Sequence, residues 1–244
     1  MGDMTGQVAL VTGGIRGIGR AISERLFARG VEVCAGYSHG KEAAEKFAAD
    51  HPRASVHQGN IGVVEDCERV VQEVLDRHGR LDILVNNAGV TLDKTVRKMT
   101  TQDWDHVIQI NLSGAFYLSR AILQHMLDRK SGRIINISSI IGEAGNIGQA
   151  NYASSKAGLF GLTMSLAQET ARKGITVNSV APGYVSTEMV RAVPEEALAK
   201  VVAKIPVGRL GEPEEIARVV EFLVDPDSAF ITGQIYSVNG GQHM

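Results

Sequence analysis

A short β-branched run, Val8 to Val11, breaks into Thr12-Gly13-Gly14-Ile15-Arg16-Gly17-Ile18-Gly19, and this junction restricts the chain more than any other feature. Arg20 to Arg29 then puts Ile22, Leu26 and Phe27 on one face of a helix that stops at Gly30. Val31 to Tyr37 reads as a second buried strand. Strand, glycine-rich turn, helix and strand within about 30 residues specify a dinucleotide-binding βαβ unit.

Glycines in such a turn allow a sharp bend, close approach of the backbone to a pyrophosphate, and tight helix–strand packing. The helix start offers free N–H groups and a positive dipole end to the phosphates. Here the spacing is Gly13-x-x-x-Gly17-x-Gly19 rather than G-x-G-x-x-G. The end of the second strand carries the choice of cofactor. A carboxylate there would bind a ribose 2′-hydroxyl and repel a 2′-phosphate. This chain has Gly36-Tyr37-Ser38-His39-Gly40-Lys41 instead, and Arg16 stands where it can reach a phosphate, so NADP(H) is expected over NAD.

The alternation continues. Helices are expected at Lys41–Asp50 and Glu65–His78, and strands at Ala54–Gln58 and Leu81–Val85. Thr101 to Arg129 reads as one long helical region containing Asn111. Ile134–Ile137 is a fifth strand, Tyr152 to about Arg172 a helix closed by Gly174, and Thr176–Val180 a sixth strand. Glu214–Leu223 and Ile235–Val238 give a last helix and strand. Six or seven strands alternating with helices make one doubly wound parallel α/β sheet, a single Rossmann domain over residues 1–244. The pattern loosens between Val185 and Gly211, where Met189, Val190, Val193, Leu198, Val201 and Val202 sit in short amphipathic pieces. That interruption is the expected lid or substrate segment.

Charge narrows the partners. Lys+Arg 25 against Asp+Glu 27 leaves −2, so nothing points to nucleic acid or an anionic membrane as the main partner. No run approaches a membrane span, and MGDMTGQVALVTGG has no basic-then-apolar signal pattern, so a cytoplasmic protein is expected. Cys34 and Cys67 have neither metal-ligand nor disulfide spacing and read as reduced packing residues.

The chemistry gathers between Ile134 and Leu162. The fifth strand ends in Ser138-Ser139, a glycine-rich loop follows, and Tyr152 and Lys156 then share a helix face at i, i+4. Alone, such a pair is ordinary. Together, Thr12 to Gly19, Asn86-Asn87-Ala88-Gly89, Asn111, Ser139, Tyr152-x-x-x-Lys156 and Pro182-Gly183 resemble the short-chain dehydrogenases/reductases over essentially the whole chain.

The resemblance implies a proton relay of Asn111, Ser139, Tyr152 and Lys156, with Ser139 selected over Ser138. It implies cofactor contacts from Gly13, Ile15, Arg16, Gly17, Ile18 and Gly19, from Asn60 and Ile61, and from Asn87, Ala88 and Gly89. Lys156, Pro182, Gly183 and Val185 complete that set. Substrate contacts are expected from Ser139, Ile147, Gln149, Tyr152 and Tyr184, with no metal, and the assembly expected is a homotetramer. Asn60 stands where the family commonly has Asp, and it can still bond adenine.

The relay is chemically sensible. Hydride transfer to a ketone builds charge on oxygen, which needs a proton donor and a hydrogen-bond partner. A free phenol with a pKa of about 10 holds its proton too tightly. Lowering it by about three units takes roughly 4 kcal/mol, about what one cation at 4 Å supplies at an effective dielectric of 20. Lys156 is expected to do this.

Within the family the chain is similar to reductases of 3-oxoacyl thioesters. Arg97-Lys98-Met99-Thr100 with Asp103-Trp104-Asp105, and the ending Asn239-Gly240-Gly241-Gln242-His243-Met244, resemble acetoacetyl-CoA reductases. Arg129 and Arg172 are shared with 3-oxoacyl-carrier-protein reductases, where basic residues would meet an acidic carrier. Two other functions stay open: a dehydrogenase of a sugar, polyol or steroid alcohol, and a non-catalytic NADP(H) sensor.

Overall fold

A computed structural model describes residues 2–191 and 195–244. In chain order the elements are β1 (Val8–Thr12), α1 (Gly17–Ala28), β2 (Glu32–Tyr37), α2 (Lys41–Asp50), β3 (Ser55–Gln58), α3 (Val64–His78) and β4 (Ile83–Asn86). Then come α4 (Thr101–Ile108), a π-helical turn (Gln109–Ser113), α5 (Gly114–Arg129), β5 (Gly132–Ile137), α6 (Ile140–Ala144) and α7 (Ala150–Thr170). β6 (Ile175–Pro182), α8 (Glu188–Arg191), α9 (Glu195–Val202), α10 (Pro213–Val224) and β7 (Ile235–Val238) complete the chain. The strands form one seven-stranded parallel sheet in the order β3-β2-β1-β4-β5-β6-β7.

Successive side chains of β1 serve opposite faces, as the two-residue strand period requires. Ala9 and Val11 pack with Ile22 and Leu26 of α1, Phe47 of α2, and Ile216, Val220 and Leu223 of α10. Val8 and Leu10 pack with Val70, Val71 and Val74 of α3, with Leu118, Ile122 and Met126 of α5, and with Leu166 of α7. Both faces are covered, so the strands read as apolar runs rather than alternating ones. At the far end of α1, the buried carboxylate of Glu221 pairs with Arg25 and Arg29 and fixes α1 against α10.

The strand order reverses between β1 and β4, which opens the ligand crevice of a doubly wound sheet above their carboxyl ends. Two segments differ from expectation. Thr101–Arg129 is α4 and α5 joined by the π-turn, where one extra residue per turn is accommodated. The loop after Ser139 contains α6, whose first turn Ser139 caps by accepting from the Ile141 N–H at 3.1 Å. In the expected lid, Val185 and Gly211 form a β-bridge that closes the base of α8 and α9. Val193 lies outside the described residues.

Candidate active site

A cavity of about 730 Å³ runs along the carboxyl ends of the central strands. Its outer wall is the first βα turn, with Gly13, Ile15, Arg16, Gly17, Ile18 and Gly19. Asn60 and Ile61 after β3, Asn87, Ala88 and Gly89 after β4, and Pro182 and Gly183 at the end of β6 continue the lining. Ser139, Tyr152 and Lys156 stand on it as well.

The remaining expected contacts are not part of this lining. Val185 is buried in the core, Ile147 is 91% exposed, and Gln149 and Tyr184 are half-buried outside the lining, with Tyr184 near enough to Tyr152 to raise its pKa. Asn111 is buried one residue behind the wall, bonded to Val90, which does line it.

The turn is shaped for a dinucleotide. Gly13 has φ +63°, which favours glycine, and a Cβ on Gly19 would stand 2.2 Å from the Gly13 carbonyl oxygen and 2.5 Å from Asn87 Nδ2. No acidic side chain occupies the first turn of α1, and Arg16 makes no capping bond there, so the helix start is left for an anion. Exposed Arg16 shares the cavity rim with Tyr37, Ser38 and His39. The residues present therefore fit a nicotinamide dinucleotide, whose phosphates the start of α1 would hold.

At the inner end, Lys156 is 3% exposed and its Nζ donates to the Ile137 carbonyl at 2.8 Å, 5.7 Å from the centre of the Tyr152 ring. Burial pushes its ammonium down to about 8. Ser138 and Ser139 have different partners. Ser138 Oγ donates to the Lys156 carbonyl at 2.7 Å, whereas Ser139 hydrogen-bonds the Tyr152 phenol.

The phenol departs from expectation. Burial raises its pKa above the ordinary tyrosine value, Ser139 opposes this, and the charges of Asp93 and Tyr184 add to the rise. Desolvation is the largest of these effects, and it favours the protonated phenol. That is the state a proton donor needs.

Asn111 explains the π-turn that holds it. Its Nδ2 donates to the Val90 carbonyl at 2.9 Å and to Ser155 Oγ at 3.1 Å, while its Oδ1 accepts from the Val90 N–H at 2.8 Å. Ser155 Oγ in turn donates to the Tyr152 carbonyl at 2.7 Å. Asn111 thus joins the loop after β4 to the turn of α7 that carries Tyr152. An asparagine in mid-helix, ordinarily a tolerated surface residue, is here 2% exposed and fully bonded.

Two residues escaped the sequence reading. Thr12 Oγ1 accepts from the N–H groups of both Asn87 and Ala88 at 2.9 Å, and the Thr12 carbonyl accepts from Asn87 Nδ2 at 2.8 Å. Ser155, fully buried, is the partner of Asn111. Both sit in motifs whose neighbours drew attention, and a buried hydroxyl beside a catalytic pair was the available signal.

Arg129 lies 3.7 Å from Asp82, so part of its charge is already met. Cys34 and Cys67 are free and buried, with thiols pushed up to about 11 and about 12 by desolvation. Among the described residues, no group of three or more His, Cys, Asp or Glu could hold a metal ion, and no helix is long and apolar enough to cross a membrane.

Comparison with known proteins agrees with this geometry. A family model described as enoyl-(acyl carrier protein) reductase matches residues 13–243. The chain is 51% identical to the acetoacetyl-CoA reductase of Shinella zoogloeoides over 237 residues, covering 97% of this chain and 98% of the relative. It is 45% identical to the acetoacetyl-CoA reductase of Cupriavidus necator over 245 residues, covering 99% and 100%. It is 44% identical to the 3-oxoacyl-[acyl-carrier-protein] reductase of Vibrio cholerae over 244 residues, covering 99% of each.

Proposed function

Because the chain belongs to the short-chain dehydrogenase/reductase family, we propose that it reduces a 3-oxoacyl thioester to the 3-hydroxyacyl thioester with NADPH. The acyl group is carried by coenzyme A or by an acyl carrier protein, the acceptors named for its relatives. The observation that carries this reading is the pairing of Tyr152 with buried Lys156 beside Ser139 on the wall of a dinucleotide-sized cavity.

Bound NADPH supplies a hydride to the ketone carbon. Ser139 holds the developing oxyanion, and the Tyr152 phenol gives that oxygen its proton. Lys156 meets the phenolate left behind. A cation about 4–6 Å from a phenolate oxygen at an effective dielectric of 20 would stabilise it by about 3–4 kcal/mol, equivalent to roughly two to three pKa units. Asn111 holds the π-turn against α7, which keeps this end of the cavity in register with the proton supply. Arg16 and the absence of a carboxylate after β2 support NADPH over NADH, since a guanidinium–phosphate bond is worth about ten- to a hundredfold in affinity.

A homotetramer fits the family resemblance and the exposed Trp104, Phe116 and Met164 on α4, α5 and α7. A cytoplasmic setting fits the charge and the lack of a spanning helix among the described residues.

Steady-state oxidation of NADPH and NADH with acetoacetyl-CoA and with an acetoacetyl carrier protein at equal concentration tests the proposal. Turnover with NADPH preferred at least about tenfold is expected. Failure to reduce any 3-oxoacyl thioester would sink it.

A pH profile follows from Lys156. Its lowered pKa means that the cation is present below about 8 and is lost as pH rises through that value. Reduction should hold a plateau below about pH 8 and decline above it, by about tenfold per unit at the limit. The measurement is kcat/KM against pH with saturating NADPH, and a profile level through this range would remove Lys156 from the rate.

A further inference from the structure

The π-turn that carries Asn111 is bonded to the opposite end of the cavity through its first residue. Gln109 Nε2 donates to the Gly62 carbonyl at 2.8 Å and to the Tyr117 hydroxyl at 3.3 Å. Gly62 belongs to the loop after β3, whose Asn60 and Ile61 line the cavity where adenine is expected. The Gly62 N–H donates to Asn60 Oδ1 at 3.0 Å, so Asn60, Gly62 and Gln109 form one chain of bonds leading from the wall to the turn. Backbone packing doubles the link. Gly114 closes the turn by donating to the Gln109 carbonyl, and a Cβ on it would stand 2.7 Å from the Ile61 carbonyl oxygen.

On its other side the loop is held by α3. Asp66 Oδ2 accepts from the Asn60 N–H at 2.8 Å, Arg69 donates to the Gln58 carbonyl at 2.8 Å, and the Cys67 thiol donates to the Ile61 carbonyl at 3.3 Å. With that edge fixed, order imposed at Asn60 passes to the edge that meets the π-turn. Two residues beyond Gln109, Asn111 bonds Val90 and Ser155, and Ser155 bonds the Tyr152 carbonyl. The π-turn therefore stands between the loop after β3 and the stretch of α7 that carries Tyr152.

We propose that Gln109 is a positioning residue that couples the loop after β3 to Asn111 through the π-turn, so that a nucleotide held at Asn60 and Ile61 tightens the turn behind Tyr152. The proposal rests on the cofactor site and the reduction put forward above. The coupling requires the N–H groups of the Gln109 amide, because the Gly62 carbonyl can only accept. Gln109 is exposed and water competes for its bond, so the coupling is worth a few fold rather than orders of magnitude.

The probe is adenosine 2′,5′-bisphosphate, which carries the adenine and the 2′-phosphate of NADPH without its nicotinamide. Amide hydrogen exchange at Gly114, whose N–H closes the π-turn, reads the coupling in the full-length protein. Saturating probe should slow Gly114 in wild type by about three- to tenfold. Val63, whose N–H bonds the Asn60 carbonyl inside the loop, should be slowed as well, and Leu166, late in α7, should not respond. Gln109→Glu keeps the shape of the side chain but has no N–H to donate near neutral pH. In that variant the Val63 response should persist while the Gly114 response falls below about twofold. Gln109→Lys restores a donor and should recover it. At saturating NADPH, Gln109→Glu should lower kcat for acetoacetyl-CoA by about three- to fivefold, with KM for the thioester within about twofold.

Protection of Gly114 that survives in Gln109→Glu, or that never appears in wild type although Val63 responds, would overturn the proposal. So would a kcat unchanged in Gln109→Glu. If the probe protects neither amide in wild type, the nucleotide assignment fails and takes the coupling with it. If exchange responds as described while wild type reduces no thioester, the substrate assignment fails alone and the coupling stands.

Discussion

Tyr152→Phe should lower kcat for thioester reduction by about 10²- to 10⁴-fold while NADPH affinity stays within about twofold. The substitution removes one oxygen. The ring remains to fill its half-buried place in the wall, so the packing that α7 depends on is kept. Lost with the oxygen are the proton that the product alcohol requires, the bond with Ser139, and the phenolate that Lys156 would stabilise. Lys156 keeps its bond to the Ile137 carbonyl and stays in place, so the nicotinamide end of the cavity is not reshaped. Single-turnover kinetics with preformed NADPH complex, alongside fluorescence titration of NADPH, separates chemistry from binding. Activity retained within tenfold would mean that another group donates the proton. Loss of NADPH binding together with activity would mean that the phenol is structural.

Gly19→Ala should fail differently, at the other end of the cavity. An added Cβ would overlap the Gly13 carbonyl oxygen at 2.2 Å and Asn87 Nδ2 at 2.5 Å, far inside contact distance. The oxygen belongs to the backbone and the amide is tied to the Thr12 carbonyl, so neither can swing aside. Relief requires α1 to withdraw from β1, and the Arg25 and Arg29 pairings with Glu221 hold its other end against α10. The expected costs are about 2–3 kcal/mol of stability, as for other overpacked cores, and about a hundredfold in NADPH affinity from displacing the helix start. Gly17→Ala is the comparison. Its φ of +51° is unfavourable, but its nearest neighbour would be Thr187 Cγ2 at 3.6 Å, so about 1–2 kcal/mol is expected there. Urea unfolding and NADPH titration rank the two. A Gly19→Ala protein within 0.5 kcal/mol of wild type would show that the turn is not closed as described.

Much of this was legible in the chain itself. Lys41–Asp50 falls at its expected limits because Gly40 precedes it and His51-Pro52 follow it, and Ile235–Val238 because it lies between Gly233 and Gly240. The π-turn was not legible. Residues on either side keep helical spacing, and the contacts that meet at the turn are distant in sequence: Asn111 bonds Val90 and Ser155, and Gly114 packs closely on Ile61. The five-residue α6 is too short to have a period. Of the candidate site, Ser139, Tyr152 and Lys156 could be named because the motif order is distinctive. The direction of the Tyr152 shift could not, since it depends on how much water the folded wall excludes and not on the neighbours counted along the helix. Thr12 and Ser155 were hidden for a related reason: Thr12 meets Asn87 and Ala88 through the pairing of β1 with β4, and Ser155 meets Asn111 where α7 packs on the π-turn.

The reversal of strand order between β1 and β4 has an evolutionary reading. The cavity residues proposed to hold the nucleotide lie mainly after β1 to β3, and those proposed to handle the reacting carbon lie after β4 to β6 and on α7. Thr12 stitches one half to the other through hydroxyl and carbonyl bonds to Asn87 and Ala88. Lineages can therefore exchange what is reduced without disturbing what reduces it, provided this suture is inherited intact. Divergence in such a chain should accumulate on the far side of the stitch, in the lid and the loop after β4, while the nucleotide half drifts only among sequences that keep the same cradle.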